Sequence, residues 1–576
     1  MSLFRAASHQ NSDLSKLDGK KISLDNTLTI LSFVILIIVV VIPMTMIVYN
    51  TFFFKGKLDT RLFNEIIANP ENISAMRNTI IVAFWVTLFG TIIGVFFAWL
   101  LGRSDIPLKG MMRSMFTIPY MFPPFFGAMA WDLLLSPRGG YFNKWFMNLT
   151  GMKTAPININ SLGGIIFVET SYYFPFVFMQ VVSALERMDP TLEESARIAG
   201  AGQGYVIRKI TLPLVRPAIS AGAFLILISS LSHFGVPSIL GFSQNIFTLP
   251  TKIYQLISRA SGEFQGIREG AALSVLLVIV VMLALILQKI VLKSGRYDII
   301  KGKSMRPMLI KLRKAKYPLL ILSFASLFVI VVVPLVMIFL VGLLKAYGLS
   351  LTPNNFTFNN YKNVLFESKM VKDSIFNSLF LSISAGLICM FLGVMVAYVI
   401  NKIKPYGKGL LEIISVLPYS IPGMVLAIGV ILAWSGAFGI NLYNTIWIIL
   451  IAYIARYLAF SMKSASASLQ QVHYSLEEAA RSCGASHMQS LTDVTVPLIR
   501  PAMVSGFFLI FLPAMRELTT SVLLYGPFTR TLGVAIYSLK TDGNLVQASA
   551  LASFTILLII VCNALVRFIT KDRKGV

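Results

Sequence analysis

Long apolar runs, separated by short polar stretches, set the pattern of this chain. Two of them, TLTILSFVILIIVVVIPMTMIVY from Thr27 to Tyr49 and AALSVLLVIVVMLALILQKIVL from Ala271 to Leu292, are long enough to cross a bilayer as helices. The pattern predicts twelve spans, centred near residues 40, 90, 124, 174, 226 and 281, then 330, 389, 423, 453, 512 and 558. The expected fold is therefore all-α and polytopic, a membrane protein of two homologous six-helix modules. The polar residues 1–27 precede an apolar run too long for a signal-peptide core. That run is read as a retained first helix.

Composition agrees. Of 576 residues, 56% are hydrophobic and 13% charged, about half the charged share of a soluble globule. The net charge of +25 invites a nucleic-acid reading. Its distribution argues for positive-inside bias instead: roughly two thirds of the lysines and arginines fall on the tails, the even-numbered loops and one central linker. No nucleic-acid partner is expected; the lipid bilayer is. Both termini and the linker KSGRYDIIKGKSMRPMLIKLRKAK are expected in the cytoplasm. The implied organisation is a tail at 1–27, a module at 28–292, the linker at 293–316, a second module at 317–570 and a tail at 571–576. Cys389, Cys483, Cys562 and the four histidines are scattered, without metal-ligand spacing.

The chain repeats itself. Residues 191–227 align without gaps to 475–511 at an offset of 284, identical at 17 of 37 positions. Upstream, 77–131 aligns with 376–434 at an offset of mostly 299, and IPYMFPP at Ile118 matches LPYSIPG at Leu417. The 15-residue difference falls around Ser136–Ser161. Six spans per copy is an even number, so both copies face the same way, related by an axis along the membrane normal.

The most similar stretch is polar. Thr191-Leu-Glu-Glu194 and Ser475-Leu-Glu-Glu478 read as capping boxes opening short helices. Gly200 and Gly484 suit left-handed helix ends. Pro213 and Pro497 follow, and Pro217 and Pro501 stand where the next membrane helix is expected to begin. Each copy thus presents a short helix–turn–helix, too small to form a domain, carrying exposed Leu, Ala and Gly. Two equivalent surfaces suit a dimeric partner; the alternative is a loop folded back on its own bundle.

The pattern E-[AS]-A-x3-G-x9-[IV]-x-[LV]-P occurs twice, at Glu194, Ser195, Ala196, Gly200, Ile210, Leu212, Pro213 and at Glu478, Ala479, Ala480, Gly484, Val494, Val496, Pro497. It resembles the cytoplasmic signature of binding-protein-dependent ABC importer permeases. The likeness covers nearly the whole chain, as two fused modules. It implies that Glu193, Glu194, Ala196, Gly200, Pro213 and Glu477, Glu478, Ala480, Gly484, Pro497 couple the chain to a dimer of ATP-binding subunits. It also implies an extracytoplasmic solute-binding protein and a multi-pass location in a bacterial inner membrane.

No G-x4-G-K-[ST] phosphate loop and no catalytic triad is present. GAGQG at Gly200 follows a helix rather than a strand, unlike a dinucleotide site. The chain is expected to be a transporter subunit, not an enzyme, with no cofactor of its own; ATP and Mg belong to the partner ATPase. Arg516 and Glu517 are expected inside the eleventh span, with His233 paired to Glu517 by the offset of 284. Intramembrane charge usually faces a cavity or partner, so His233, Arg516, Glu517, Tyr120 and Tyr419 are candidate path residues. A structural ion pair, and proline kinks for packing, are the competing readings. HFGVPSILG and RELTTSVLLYGP resemble ferric-iron importer permeases. Relatives of that type carry thiamine, phosphonate, polyamine or sulfate. Ferric iron favours oxygen ligands; no firm metal site is read, and Glu517 is a possible transient ligand. An ion-coupled secondary transporter is the rival of another class.

Overall fold

The computed structural model describes residues 24–259, 264–293 and 309–571. Most of both tails and of the 293–316 linker lie outside the described residues. Within them the chain is helical, and the strands are a hairpin of Phe53–Phe54 with Lys57–Leu58.

Ten helices are long and apolar enough to span a membrane. They are α1 (Leu24–Phe52), α2 (Pro70–Arg103), α3 (Leu162–Arg187), α5 (Gln203–Leu231), α6 (Phe264–Leu292), α7 (Arg313–Gly342), α8 (Lys369–Ile403), α9 (Ile446–Leu469), α11 (His487–Met515) and α12 (Leu545–Val566). Two short polar helices, α4 (Thr191–Ile198) and α10 (Tyr474–Ser482), precede α5 and α11. All ten fall on predicted centres. The two aromatic, polar-interrupted spans, α3 and α9, are continuous and the most buried of the set.

The remaining two predicted spans, centred near 124 and 423, are not single helices. Each breaks into Lys109–Met121 plus Pro124–Leu135, and Lys408–Ser420 plus Gly423–Trp434. Proline is the cause. Pro119 and Pro418 sit inside the leading halves, while Pro123 (ψ 129°) and Pro422 (ψ 138°) turn the backbone extended. Hydropathy registers the apolar length but not the missing donors.

Two further expectations shift. The helices after the polar segments begin at Gln203 and His487, well ahead of Pro217 and Pro501. Each absorbs its prolines through a π-turn, Ile207–Thr211 and Leu491–Thr495, at the same place in both copies. At the other end α11 stops at Met515, so Arg516 and Glu517 lie just past it rather than within a span. Their N–H groups reach back to Pro513 and Ala514 in a tightened last turn. The difference around Ser136–Ser161 contains an extra helix, Tyr141–Thr150, pinned by Asn143 donating to the carbonyls of Leu135, Ser136 and Ile157.

The chain forms two compact units, and neither follows the sequence repeat. One comprises Met1–Val41, Ile383–Pro418 and Ile454–Phe511; the other comprises Ile42–Ser382, Tyr419–Tyr453 and Leu512–Val576. Each contains the same three-helix seam. In the larger unit a Cβ at Gly94 of α2 would lie 2.8 Å from the Val177 Cβ of α3, and one at Gly222 of α5 would lie 2.6 Å from Val177 Cα. In the smaller unit Gly393 of α8 and Gly506 of α11 close in the same way on Ser461 of α9, at 2.6 and 3.2 Å from its Oγ. These are matching positions of the two copies. Where lipid replaces water, such close backbone approach supplies dispersion energy that apolar burial does not.

Candidate functional site: paired helices and a broken path

The polar helices α4 and α10 are held from beneath by one buried carboxylate each. Glu193 lies against Arg103 at the end of α2, with Nε to Oε2 3.2 Å, and accepts from the Thr211 hydroxyl at 2.6 Å. Glu477 lies against Lys402 near the end of α8 at 3.4 Å and accepts from the Thr495 hydroxyl at 2.8 Å. All three partners correspond between copies: Glu193 with Glu477 and Thr211 with Thr495 at 284, Arg103 with Lys402 at 299. The threonines close the two π-turns, so each carboxylate ties the short helix to two membrane helices. The second copy adds the Tyr398 hydroxyl, 3.3 Å from Glu477. Tyr398 also meets His487, which reaches Asp25 of α1 at 3.4 Å.

Glu193 and Glu477 are therefore buried, turned away from any outside surface. Their neighbours Glu194 and Glu478 are half-buried and exposed, Ala196 and Ala480 are half-buried, and Gly200 and Gly484 are exposed. Leu192 and Leu476 point outward, as does Ile198, which is 88% exposed. Pro213 is half-buried and Pro497 exposed, each just after its π-turn.

The capping boxes expected at Thr191 and Ser475 do not form. Helix α4 starts after Pro190, and Asp189 takes the Thr191 N–H and hydroxyl at 2.9 and 2.8 Å. Helix α10 starts after His473, whose Nδ1 accepts the Ser475 N–H at 3.3 Å. Asp189 and His473 are again equivalent. The box predicted at Ser475 occurs instead at Ser486 with Gln489, opening α11. The expected left-handed ends do form, with φ +87° at Gly200 and +93° at Gly484. The following N–H groups, of Ala201 and Ala485, close on Ala196 and Ala480 at 2.9 and 3.1 Å.

The Thr191 N–H and hydroxyl hold the Asp189 carboxyl below the usual carboxylate range. A depressed folded-state value contributes stability above the unfolded value and loses it as pH falls through the folded one. Asp189→Asn should therefore lower the protection factors of the Thr191–Glu194 amides at neutral pH, and acidification of the parent protein should do the same once the slower intrinsic exchange at low pH is divided out. Protection indifferent to both changes would show that Asp189 does not hold this helix end.

The candidate path residues cluster at helix breaks. Arg516 donates to the carbonyls of Tyr120, at 3.1 Å, and Met121, and its guanidinium stands 5.7 Å from the Tyr120 ring centroid. Two residues singled out separately are thus brought together. His233 bonds Glu169 at 2.9 Å, and Glu169, fully buried in α3, also accepts from Ser230. Glu517 accepts the Thr520 N–H at 2.9 Å. Tyr419 is exposed. Among the described residues no group of three or more His, Cys, Asp or Glu is placed to hold a metal ion.

Sequence reasoning missed Glu169, Arg103, Lys402, Thr211, Thr495, Asp189 and His473. Glu169 carried a usable signal, a carboxylate amid an apolar span. The cation and threonine positions carried another, since residues of the same type recur at the repeat offsets.

The chain is thus a duplicated helical protein with two matched polar helices, each held by a buried carboxylate. The chain belongs to the family described as binding-protein-dependent transport system inner membrane component, which matches residues 90–294 and 389–575. It is a multi-pass inner-membrane permease of the ABC importer type, a transporter subunit and not an enzyme. Its relatives include the ferric transport system permease protein FbpB of Actinobacillus pleuropneumoniae, 26% identical over 545 residues, covering 94% of this chain and 77% of the relative. A putative ferric transport system permease protein FbpB 1 of Haemophilus influenzae is 25% identical over 509 residues, covering 87% and 78%. A putative 2-aminoethylphosphonate transport system permease protein PhnV of Salmonella paratyphi A is 31% identical over 218 residues, covering 38% of this chain and 81% of the relative.

Proposed function

We propose that the chain carries ferric iron inward, received from an extracytoplasmic solute-binding protein and moved by alternating access. The observation that carries the transport mechanism is the anchored pair α4 and α10. Each presents Leu, Glu and Ala on a short helix whose base is locked to two membrane helices. Motion imposed on either helix passes directly into those spans. A dimer of ATP-binding subunits, holding ATP and Mg, grips both; both termini of this chain and the linker lie on that side. The cargo reading rests on the two ferric-transport relatives, which run nearly the full length of the chain. The phosphonate relative supports a second cargo, 2-aminoethylphosphonate, over a shorter stretch.

The test is uptake by proteoliposomes containing the chain, its ATPase and its binding protein. Ferric citrate labelled with radioactive iron should accumulate only with ATP inside and binding protein outside, and excess 2-aminoethylphosphonate should not compete. Competition would move the cargo to the phosphonate. Accumulation driven by an ion gradient without ATP would overturn the ATPase coupling.

A further inference from the structure

We propose that the helix Tyr141–Thr150 and the loop that follows α7 form a site for an anionic phospholipid, with an acyl chain in the groove between them and the Lys144 ammonium on the head-group phosphate. The helix lies in the segment where the two copies differ in length. The second copy makes the matching connection through residues 435–445, which form no helix. Transport through paired polar helices uses what both copies share; this helix is an addition to one of them.

One side of the addition is firmly held. Asn143 pins it to the carbonyls of Leu135, Ser136 and Ile157. The Tyr347 hydroxyl donates to the Gly139 carbonyl, and the Gly348 N–H to the Tyr141 hydroxyl, both at 3.1 Å. The rings of Tyr141 and Tyr347 meet edge to face at 5.8 Å. The other side is open. Phe142, Trp145 and Leu149 fall on one helix stripe, and Trp145 and Leu149 are 58% and 68% exposed. Between this helix and residues 348–351 runs a groove of about 530 Å³, lined mainly by apolar side chains that include Phe142, Trp145, Met337 and Leu351.

Depth identifies the occupant. Arg313, Lys314 and Lys316 open α7, and Tyr317 follows them. About twenty residues of helix cross the hydrocarbon, so that layer ends near Met337, at the groove. The flank of α7 leading there is lipid-facing: Tyr317, Ile321, Phe328 and Val336 are all exposed and apolar. The groove therefore continues the bilayer-covered surface and straddles the boundary between acyl chains and head groups. Phe and Trp are the side chains that settle at this level. Lys144 lines the same groove, half-buried, with no carboxylate partner among the described residues. An unpaired ammonium at head-group level beside an apolar slot complements a phosphate that carries an acyl chain.

The test uses the complex with its ATPase in vesicles of phosphatidylethanolamine and phosphatidylglycerol. It needs no ATP or cargo, so its outcome is independent of the transport reading. Leu149→Cys, with Cys483→Ser and Cys562→Ser, carries an environment-sensitive fluorophore; Cys389 is buried and stays. A nitroxide on the upper acyl chain of the lipid should quench the label strongly, and aqueous iodide should quench it weakly. Iodide quenching as strong as lipid quenching would overturn the site. So would a label open to iodide until a binding protein is added, which would make the stripe a protein-docking face. Native mass spectrometry during delipidation supplies the second arm. Lys144→Gln should hold the last phosphatidylglycerol about fivefold less tightly than the parent, the worth of one lysine beside an anionic head group. Lys144→Arg should match the parent. Equal retention by the parent and Lys144→Gln would remove Lys144 from the head group and overturn the assignment.

Discussion

Glu193→Ala should abolish ATP-driven uptake and lower the melting temperature of the purified complex, and it should do so more severely than Glu477→Ala. Removing one member of a buried ion pair costs about 3–5 kcal/mol because the other charge is left behind. Arg103 is 2% exposed, and among the described residues its Nη2 already has no hydrogen-bond partner. Without Glu193 the guanidinium loses its anionic neighbour. Lys402 retains the Val472 carbonyl at 3.0 Å when Glu477 is removed. Thr211→Val should cost less than either, about 1 kcal/mol for one hydrogen bond. The double change Arg103→Met with Glu193→Leu should recover much of the lost melting temperature, since apolar side chains of similar size replace a buried pair at little cost. A Glu193→Ala complex no less stable than the Thr211→Val one would remove the carboxylate from its anchoring role.

Gly200 and Gly484 should tolerate asparagine far better than valine in folding, yet neither change should leave ATPase docking intact. Both residues have positive φ, and a Cβ at either would meet nothing within 4 Å. The space is open, so the demand inside the chain is for the left-handed backbone alone. Asparagine visits that region readily, while other residues pay roughly 1–2 kcal/mol. Glycine at an exposed turn also lets a partner approach closely. Gly484→Asn should therefore melt near the parent but lose most co-purification with the ATPase and most uptake. Gly484→Val should lose both stability and docking. Full docking by Gly484→Asn would mean that the glycine serves the turn only, and the coupling surface would have to be sought elsewhere on α10.

Much of this architecture is written in local pattern. Helical spans announce themselves as apolar length, and the duplication is plain in the match of residues 191–227 to 475–511. The left-handed ends at Gly200 and Gly484 were legible because one residue type satisfies that φ cheaply. Other features depend on competition or distance. Thr191 and Ser475 are sound caps in isolation, but both fall inside helices that start one or more residues earlier in register, and Asp189 and His473 take their N–H groups. Which of Glu193 and Glu194 faces inward depends on helix phase, which a segment of eight residues does not fix by itself. The partners of Glu193 lie 90 residues upstream and 18 downstream, so the pairing belongs to packing and not to spacing. The prolines that break Lys109–Met121 from Pro124–Leu135 were visible, but apolar length outweighed them in counting spans.

The unequal anchors have a practical consequence. Arg103 on one side and Lys402 with Tyr398 and His487 on the other are variations that a permease assembled from two identical chains could not hold, because every substitution there appears twice. Fusion into one polypeptide lets selection, or an experimenter, injure a single arm of the machine while sparing its twin. Whether import demands both arms or limps along on one can thus be asked with one codon.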